Sequence, residues 1–189
     1  MKIGVLALQG AFREHRLMVE RCGVQAVEVR KPEQLADIDG LIIPGGESTT
    51  IGKLLNDWGL LEVIKTRAAA GMAIFGTCAG LILLAKDIVG SDQPRLGLMD
   101  IVAARNAFGR QRESFEADLQ VAELGDEPVR AVFIRAPQIE SAGPDVQVLA
   151  SVNDKAVIAR QGKLLVVAFH PELTTDDRLH RYFISMTEE

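Results

Sequence analysis

The first 90 residues alternate between short apolar runs and amphipathic segments, and this alternation constrains the fold more than any other feature. Apolar runs that are typical of buried strands cover residues 3–8, 26–30, 41–43 and 72–75. Segments with the apolar spacing of helices cover residues 11–22, 48–65 and 79–86, with a break predicted at 56–59. Strands and helices that alternate in this way are typical of a parallel sheet covered by helices on both faces.

The pattern changes after Gly90, where strand-like runs follow one another with loops between them. These runs cover residues 100–104, 116–121, 129–134, 146–152, 156–160 and 164–169, and a last helix is predicted from about Asp176 to the end. No linker, repeat or low-complexity tract separates the halves, so we expect the second half to extend the sheet of the first. The expected fold is α/β, with three layers around a mostly parallel central sheet, in a single domain over residues 1–189.

Composition and charge exclude several classes of protein. A net charge of −5 without a basic cluster argues against binding to nucleic acid or to a membrane surface. No apolar run reaches the roughly 18–20 residues of a membrane span, and the apolar start MKIGVLAL is too short for a signal peptide. Because the two cysteines cannot form a disulfide framework, we expect a reduced, cytoplasmic protein. The sequence has no metal-ligand cluster, phosphate loop or dinucleotide fingerprint, so neither a metal nor an organic cofactor is expected.

Turns with chemically distinctive residues follow four of the predicted strands. They are Gln9-Gly10, PGGES at 44–48, GTCAG at 76–80 and His170-Pro171-Glu172. In an open α/β sheet, ligands bind outside the carboxyl ends of the strands. We therefore expect these four turns to meet at one edge of the sheet.

Cys78 lies in the stretch FGTCAGLILLA, which predicts a strand, a tight turn and a helix with the spacing G-x-C-x-G. This spacing is typical of a nucleophile elbow, in which the glycines let neighbouring elements approach a strained turn. The following helix favours the thiolate through its positive end, and the N–H of Ala79 would point to a developing oxyanion. A small buried core thiol is the alternative, and it is the interpretation we give to Cys22, which lacks such glycines.

A thiolate nucleophile needs a proton carrier, and the chain has three histidines. His170 ends an apolar strand, and Glu172 can hold its imidazole in the tautomer whose other nitrogen faces Cys78. His15 and His180 lie in the charged segments REHR and DRLHR and are predicted to be surface residues. The predicted catalytic residues are therefore Cys78, His170 and Glu172.

The stretches FGTCAGLILLA, PGGEST and AFHPEL resemble the motifs of class I, or triad-type, glutamine amidotransferases. The resemblance is narrower still to one family within that class, the glutaminase subunits of pyridoxal 5′-phosphate synthase. Three further stretches carry this narrower resemblance: GVLALQGAFREH, RNAFGRQRESFEADL and FIRAP. The resemblance covers nearly the whole chain and implies a flavodoxin-like core. One departure is Gln138, where histidine or an aliphatic residue is expected, and this position does not touch the triad.

The resemblance implies the chemistry of the triad. Cys78 would attack the side-chain amide of L-glutamine and form a γ-glutamyl thioester. His170 would protonate the departing ammonia and then activate the hydrolytic water, while Glu172 orients His170. The products would be L-glutamate and ammonia for the synthesis of pyridoxal 5′-phosphate.

The resemblance also implies the residues around the substrate. The backbone N–H groups of Gly46 and Ala79 would bind the oxyanion. Arg105 would bind the α-carboxylate through its two parallel donors, although an ordinary surface arginine is an equal alternative. Glu47 would face the amino group or serve the structure of its loop. The full set of predicted substrate-binding residues is Gly46, Glu47, Ser48, Arg105, Ile134 and Arg135.

A protein partner follows from the same resemblance. Ammonia would pass to the synthase subunit, a (β/α)8 barrel, and the isolated chain would have low activity. Gln9 is predicted to hydrogen-bond the Gly46 peptide and hold it in the donor orientation once the partner is bound. The alternative is that Gln9 is an ordinary polar cap at the end of a strand.

Two other functions fit parts of the sequence. Another cysteine hydrolase on this scaffold, such as a γ-glutamyl peptidase, would lack a tight α-carboxylate clamp. A non-catalytic subunit would use the fold only to bind a partner, and it would not need cysteine, histidine and glutamate together.

Overall fold

The computed structural model describes residues 1–105 and 114–189, so residues 106–113 of the stretch RNAFGRQRESFEADL lie outside the described part. The first elements are β1 (Lys2–Leu6), α1 (Phe12–Arg21), β2 (Gln25–Val29), β3 (Gly40–Ile43), α2 (Ser48–Asp57), α3 (Leu60–Ala69), β4 (Ala73–Thr77) and α4 (Ala79–Leu84). They are followed by β5 (Ala85–Ile88), β6 (Met99–Ala104), β7 (Ser114–Leu119), β8 (Val129–Ile134), β9 (Gln138–Ala142), β10 (Gln147–Val152), β11 (Lys155–Gln161), β12 (Leu164–Val167) and α5 (Arg178–Met186). The expected α/β class is confirmed.

The parallel part of the sheet has the strand order β2-β1-β3-β4-β12. β3 and β4 are buried along their whole length, as apolar strands covered on both faces should be. β12 pairs in parallel with β4, and Val167 lies opposite Thr77. This register places the residues that follow β4 and β12 side by side at the carboxyl edge of the sheet.

The sheet continues from β12 through β11, β9, β6 and β5, and β10 pairs with β11. Within this part, β11 runs antiparallel to β12, β10 and β9, and β9 runs antiparallel to β6. Most of the second half therefore extends the first sheet, as predicted. β7 and β8 are the exception, because they form a separate two-stranded antiparallel sheet. Phe115 stacks on Phe133 between these two strands, with ring centroids 4.5 Å apart.

Two strands differ from the sequence predictions. The predicted helix at 79–86 ends at Leu84, and the chain turns directly into β5 without a glycine or proline. β9 was not predicted, because its sequence QIESA has only two apolar residues. The predicted break at 56–59 is confirmed, since Gly59 takes a φ of 70° between α2 and α3.

Large aromatic side chains fix the strands that end at the site. Phe75 of β4 packs against Phe183 of α5, with ring centroids 5.5 Å apart. Phe133 of β8 packs against Phe169, which follows β12, at 5.4 Å. All four rings are fully buried, so the turns after these strands rest on a close-packed core. No helix in the two described ranges is long and apolar enough to cross a membrane.

Candidate active site

A cavity of about 670 Å³ opens where the carboxyl ends of several strands meet. The four turns that follow β1, β3, β4 and β12 all contribute to it or lie directly behind it, as expected. The structure brings together every residue predicted to bind substrate or oxyanion. The cavity is lined by Gln9, Gly46, Glu47, Ser48, Cys78, Ala79, Ile82, Val89, Ala104, Arg105, Ile134, Arg135 and His170.

Cys78 occupies a strained turn between β4 and α4. Its φ of 49° and ψ of −102° lie in a region that residues with a side chain rarely adopt. Its backbone N–H donates to the carbonyl of Val167 at 2.9 Å, which ties the turn to β12. The residue is 8% exposed, and it borders the cavity. The strained backbone therefore displays the thiol instead of packing it into the core.

The two glycines that flank this turn are required by close backbone contacts. A Cβ atom on Gly76 would lie 2.6 Å from the carbonyl carbon of Gly80. A Cβ atom on Gly80 would lie 2.2 Å from the carbonyl oxygen of Ile43 at the end of β3. Because backbone atoms cannot move aside as side chains do, the spacing G-x-C-x-G has the steric cause that the sequence predicted.

His170 follows β12 and is held by Glu172. Its Nδ1 donates to Oε1 of Glu172 at 2.8 Å, since a carboxylate can only accept. The ring also borders the cavity together with Cys78. Burial lowers the pKa of His170, but the hydrogen bonds and charges of Cys78 and Glu172 outweigh burial and raise this pKa to about 10. At neutral pH the ring is an imidazolium beside the Cys78 sulfur.

Glu172 lies behind His170, outside the cavity, and its side chain is fully buried. Burial raises the pKa of this carboxyl group, but His15 and His170 outweigh burial and hold the pKa below its ordinary value. Oε2 of Glu172 lies 3.3 Å from Nε2 of His15. No hydrogen bond reaches this oxygen from the described residues. The carboxylate is therefore an anion held between two histidines.

The loop after β3 approaches the triad closely. A Cβ atom on Gly45 would lie 2.5 Å from Cε1 of His170, so only glycine fits there. The carbonyl of Gly45 accepts from the N–H of Ala11 at 3.3 Å. The N–H of Glu47 donates to Oε1 of Gln9 at 2.8 Å. The loop after β1 therefore holds both peptide units that flank Gly46.

The side chains of the predicted pocket are linked by Gln93. Arg105 is exposed, and its Nη1 donates to Oε1 of Gln93 at 3.4 Å. Ser48 donates to the same oxygen at 3.3 Å. Gln93 was not predicted from the sequence, because its segment carries no motif. The side chain of Glu47 accepts from the backbone N–H and hydroxyl of Thr49, so it caps α2 in this structure.

His15 and His180 were predicted to be surface residues, and this prediction is wrong, since both are fully buried. Their charged neighbours suggested exposure, but His15 lies on the inner face of α1 with Met18 and Val19. On α5, His180 shares the inner face with Phe183. The spacing of three and four residues to these apolar side chains was the signal that could have revealed it.

Cys22 is a free thiol away from the cavity, and it is half-buried instead of the buried core thiol that its sequence context suggested. Gln138 begins β9, and its side-chain NH₂ donates a hydrogen bond to the carboxylate of Glu140. It does not border the cavity. Within residues 1–105 and 114–189, no three histidine, cysteine or acidic side chains are grouped as they would be around a metal ion.

Comparisons with known proteins find relatives over nearly the full length of the chain. The SNO glutamine amidotransferase family matches residues 5–189. The pyridoxal 5′-phosphate synthase subunit PdxT of Carboxydothermus hydrogenoformans is 65% identical over 184 residues, which cover 97% of this chain and 96% of that protein. The protein of the same name from Pelotomaculum thermopropionicum is 64% identical, with 97% and 94% covered. A crystal structure of a glutamine amidotransferase has a TM-score of 0.94 and 53% identity, and 99% of each chain is covered.

Proposed function

The chain belongs to the SNO glutamine amidotransferase family, and from this membership and the geometry of the cavity we propose that L-glutamine is hydrolysed at Cys78. The chain is the glutamine-hydrolysing subunit of a pyridoxal 5′-phosphate synthase and takes part in vitamin B6 biosynthesis. The observation that carries the proposed mechanism is the position of His170. Its ring hydrogen-bonds Glu172 through Nδ1 and borders the same cavity as Cys78, whose hydrogen bond and charge raise the pKa of the ring.

In the first half of the reaction, the thiolate of Cys78 attacks the side-chain amide carbon of glutamine. The negative charge moves to the amide oxygen, which accepts from the N–H groups of Gly46 and Ala79. When the tetrahedral intermediate collapses, the carbon–nitrogen bond breaks and the imidazolium of His170 protonates the leaving nitrogen. Ammonia departs, and a γ-glutamyl thioester remains on Cys78.

In the second half, water attacks the thioester while neutral His170 takes its proton. The carbon–sulfur bond breaks, glutamate leaves, and Cys78 returns to a thiolate beside imidazolium. Glu172 stabilises that imidazolium and fixes the ring so that Nε2 serves the sulfur in both halves. The exposed Arg105 binds the α-carboxylate of glutamine at the far end of the cavity, with its guanidinium placed by Gln93.

The ammonia acceptor is a synthase subunit with a (β/α)8 barrel, and the chain acts in the cytoplasm as one catalytic domain. The two free cysteines, Cys22 and Cys78, suit a reducing compartment.

Glutamate and ammonia release from L-glutamine tests this function directly, with the purified chain alone and with its synthase subunit. We expect stoichiometric glutamate and ammonia. Hydrolysis of γ-glutamyl peptides in preference to glutamine would instead indicate a γ-glutamyl peptidase. The absence of any hydrolysis in the complex would indicate a non-catalytic subunit.

Arg105→Ala is expected to raise the KM for glutamine about 10- to 100-fold, with a smaller change in kcat, because the lost contact binds the ground state as well as the transition state. Arg105→Lys should restore only part of the affinity, since an ammonium cannot form two parallel hydrogen bonds. Steady-state kinetics of the complex measure both constants. Arg130, which pairs with Glu116 and Asp118 away from the cavity, offers a matched control. An Arg105→Ala KM equal to that of Arg130→Ala would remove Arg105 from the pocket.

We further propose that Gln9 couples binding of the synthase subunit to catalysis. Its hydrogen bond to the N–H of Glu47, together with that of Ala11 to Gly45, fixes the backbone on either side of Gly46. A shift of the loop after β1 on docking would therefore reorient the proposed oxyanion donor.

Gln9→Ala should consequently lose most of the activation by the synthase subunit, about tenfold or more in kcat, while the two subunits still associate. Glutaminase kinetics at saturating synthase subunit, with the affinity measured separately, check this result. Gln9→Glu is a size-matched second variant, because its carboxylate can still accept from Glu47 and should retain part of the activation. Activation of Gln9→Ala equal to that of the wild type would contradict the coupling.

A further inference from the structure

A row of buried histidines continues the triad into the core, away from substrate. Nε2 of His15 lies 3.3 Å from the second carboxylate oxygen of Glu172, the one that His170 does not bind. Nδ1 of His15 lies 2.9 Å from Nε2 of His180. Both rings are fully buried. Hydrolysis of glutamine as described above uses neither of them directly.

The surroundings keep both rings neutral. Burial lowers the pKa of His15 most strongly; His170 lowers it further, while Glu172 and Glu14 oppose the change. Burial also lowers the pKa of His180, and His15 adds to that effect. Phe75 stands edge-on to both rings, with centroid distances of 6.4 and 5.7 Å. Two neutral imidazoles in an apolar setting must share a single N–H between facing nitrogens.

The contacts at Nε2 of His15 decide the direction of that hydrogen bond. If this nitrogen carried a lone pair, the lone pair would face the anionic oxygen of Glu172, and His180 would bury an unpaired N–H at Nδ1. If it carries the proton, it donates to the hydroxyl oxygen of Thr77 at 3.1 Å and presents positive charge to Glu172. His180 then donates from Nε2 to His15, and its Nδ1, which has no partner among the described residues, is a bare acceptor instead of a buried unpaired N–H.

We infer that His15 is a positioning residue for the triad, that its Nε2–H stabilises the charge on the second oxygen of Glu172, and that His180 fixes the tautomer of His15. The inference rests on the proposed role of Glu172 and adds the reason why that carboxylate stays ionised and correctly oriented inside the core. His180 acts through His15, His15 acts through Glu172, and Glu172 acts on His170. His15 and His180 thus stabilise the His170 imidazolium through Glu172, on the side away from the substrate.

His15→Phe keeps a ring of similar shape but leaves the second oxygen of Glu172 and the N–H of His180 buried without this partner. Because the loss of one member of a buried polar group is destabilising, the melting temperature should fall. We also expect kcat to fall by about 10- to 100-fold, as loss of an orienting partner does elsewhere. A purely structural role would lower the melting temperature as well, so the two roles are separated by a readout that follows the triad itself.

The distinguishing readout is the pH dependence of Cys78 alkylation by iodoacetamide, which follows the thiolate. Without His15, the buried carboxylate of Glu172 loses a partner that lowers its pKa and fixes its orientation. A carboxyl group that is protonated or rotated stabilises the His170 imidazolium less, so the thiolate of Cys78 forms at higher pH. We expect the alkylation midpoint of His15→Phe to move upward by roughly one pH unit. His15→Gln should restore most of kcat and of the midpoint, because its side-chain NH₂ reaches the position of Nε2.

Two further variants complete the test. His180→Phe should show a smaller loss in kcat than His15→Phe, and no additional loss when both changes are combined, because the two act in series. Val19→Ala, a buried apolar change on α1, should lower the melting temperature and leave the alkylation midpoint in place.

A His15→Phe enzyme with the wild-type kcat and midpoint would overturn the inference. So would a His15→Gln enzyme no better than His15→Phe, or the same midpoint shift in Val19→Ala. An inactive wild-type complex would instead count against glutamine hydrolysis itself.

Discussion

Cys78→Ala is expected to abolish glutamine hydrolysis, with kcat lowered by roughly 10⁴- to 10⁶-fold, because no other group can form the thioester. The folded structure should persist. Alanine has the same backbone constraints as cysteine at a φ of 49°, and the lost sulfur faces a cavity instead of the core. Glutamate release by the complex and the melting temperature of the variant measure the two parts of this prediction.

Cys22→Ala is the matched control, because it removes the other free thiol of the chain. It should keep wild-type glutaminase kinetics. Substantial turnover in Cys78→Ala, or equal losses in both variants, would exclude the proposed nucleophile.

His170→Asn should be nearly as severe, with a loss of roughly 10⁴- to 10⁶-fold in kcat, because thiolate formation and protonation of ammonia both depend on the imidazole. Glu172→Gln should be milder, since it keeps the shape of the side chain and removes only the charge that orients and stabilises His170. Single-turnover kinetics of the two variants give the order of the losses. A Glu172→Gln variant more impaired than His170→Asn would contradict this division of roles.

The strand-end turns could be predicted because their chemistry is local. Gly76 and Gly80 are needed by contacts within one strand–turn–helix unit and its next strand, so their spacing around Cys78 is visible in the sequence. His170 could be paired with Cys78 because parallel strands bring their carboxyl ends to the same edge.

Other parts of the site depend on tertiary contacts that no local pattern contains. Gln93 hydrogen-bonds Ser48 and Arg105 from a segment without regular structure, so no pattern near it in the sequence predicts these contacts. His15 and His180 come from opposite ends of the chain, and their charged neighbours concealed the buried face that each occupies. A helical period is present at both positions, but the charged neighbours favour an exposed position.

The pairing of strands shows the same limit. The alternating burial of β7 and β8 is typical of strands with one covered face. That pattern says nothing about which sheet they join. The separate sheet nevertheless serves the site, because the carbonyl of Val132 in β8 accepts from the backbone N–H of His170 at 2.9 Å.

The most direct test of the account is to identify the covalent intermediate. The Glu172→Gln complex is mixed with L-glutamine, quenched in acid, digested, and the peptides are analysed by mass spectrometry. The mechanism predicts the mass of one γ-glutamyl group on the peptide that contains Cys78, and its absence when Cys78 is also replaced by alanine. A γ-glutamyl group on any other residue, or glutamate formed at an undiminished rate without Cys78, would contradict it.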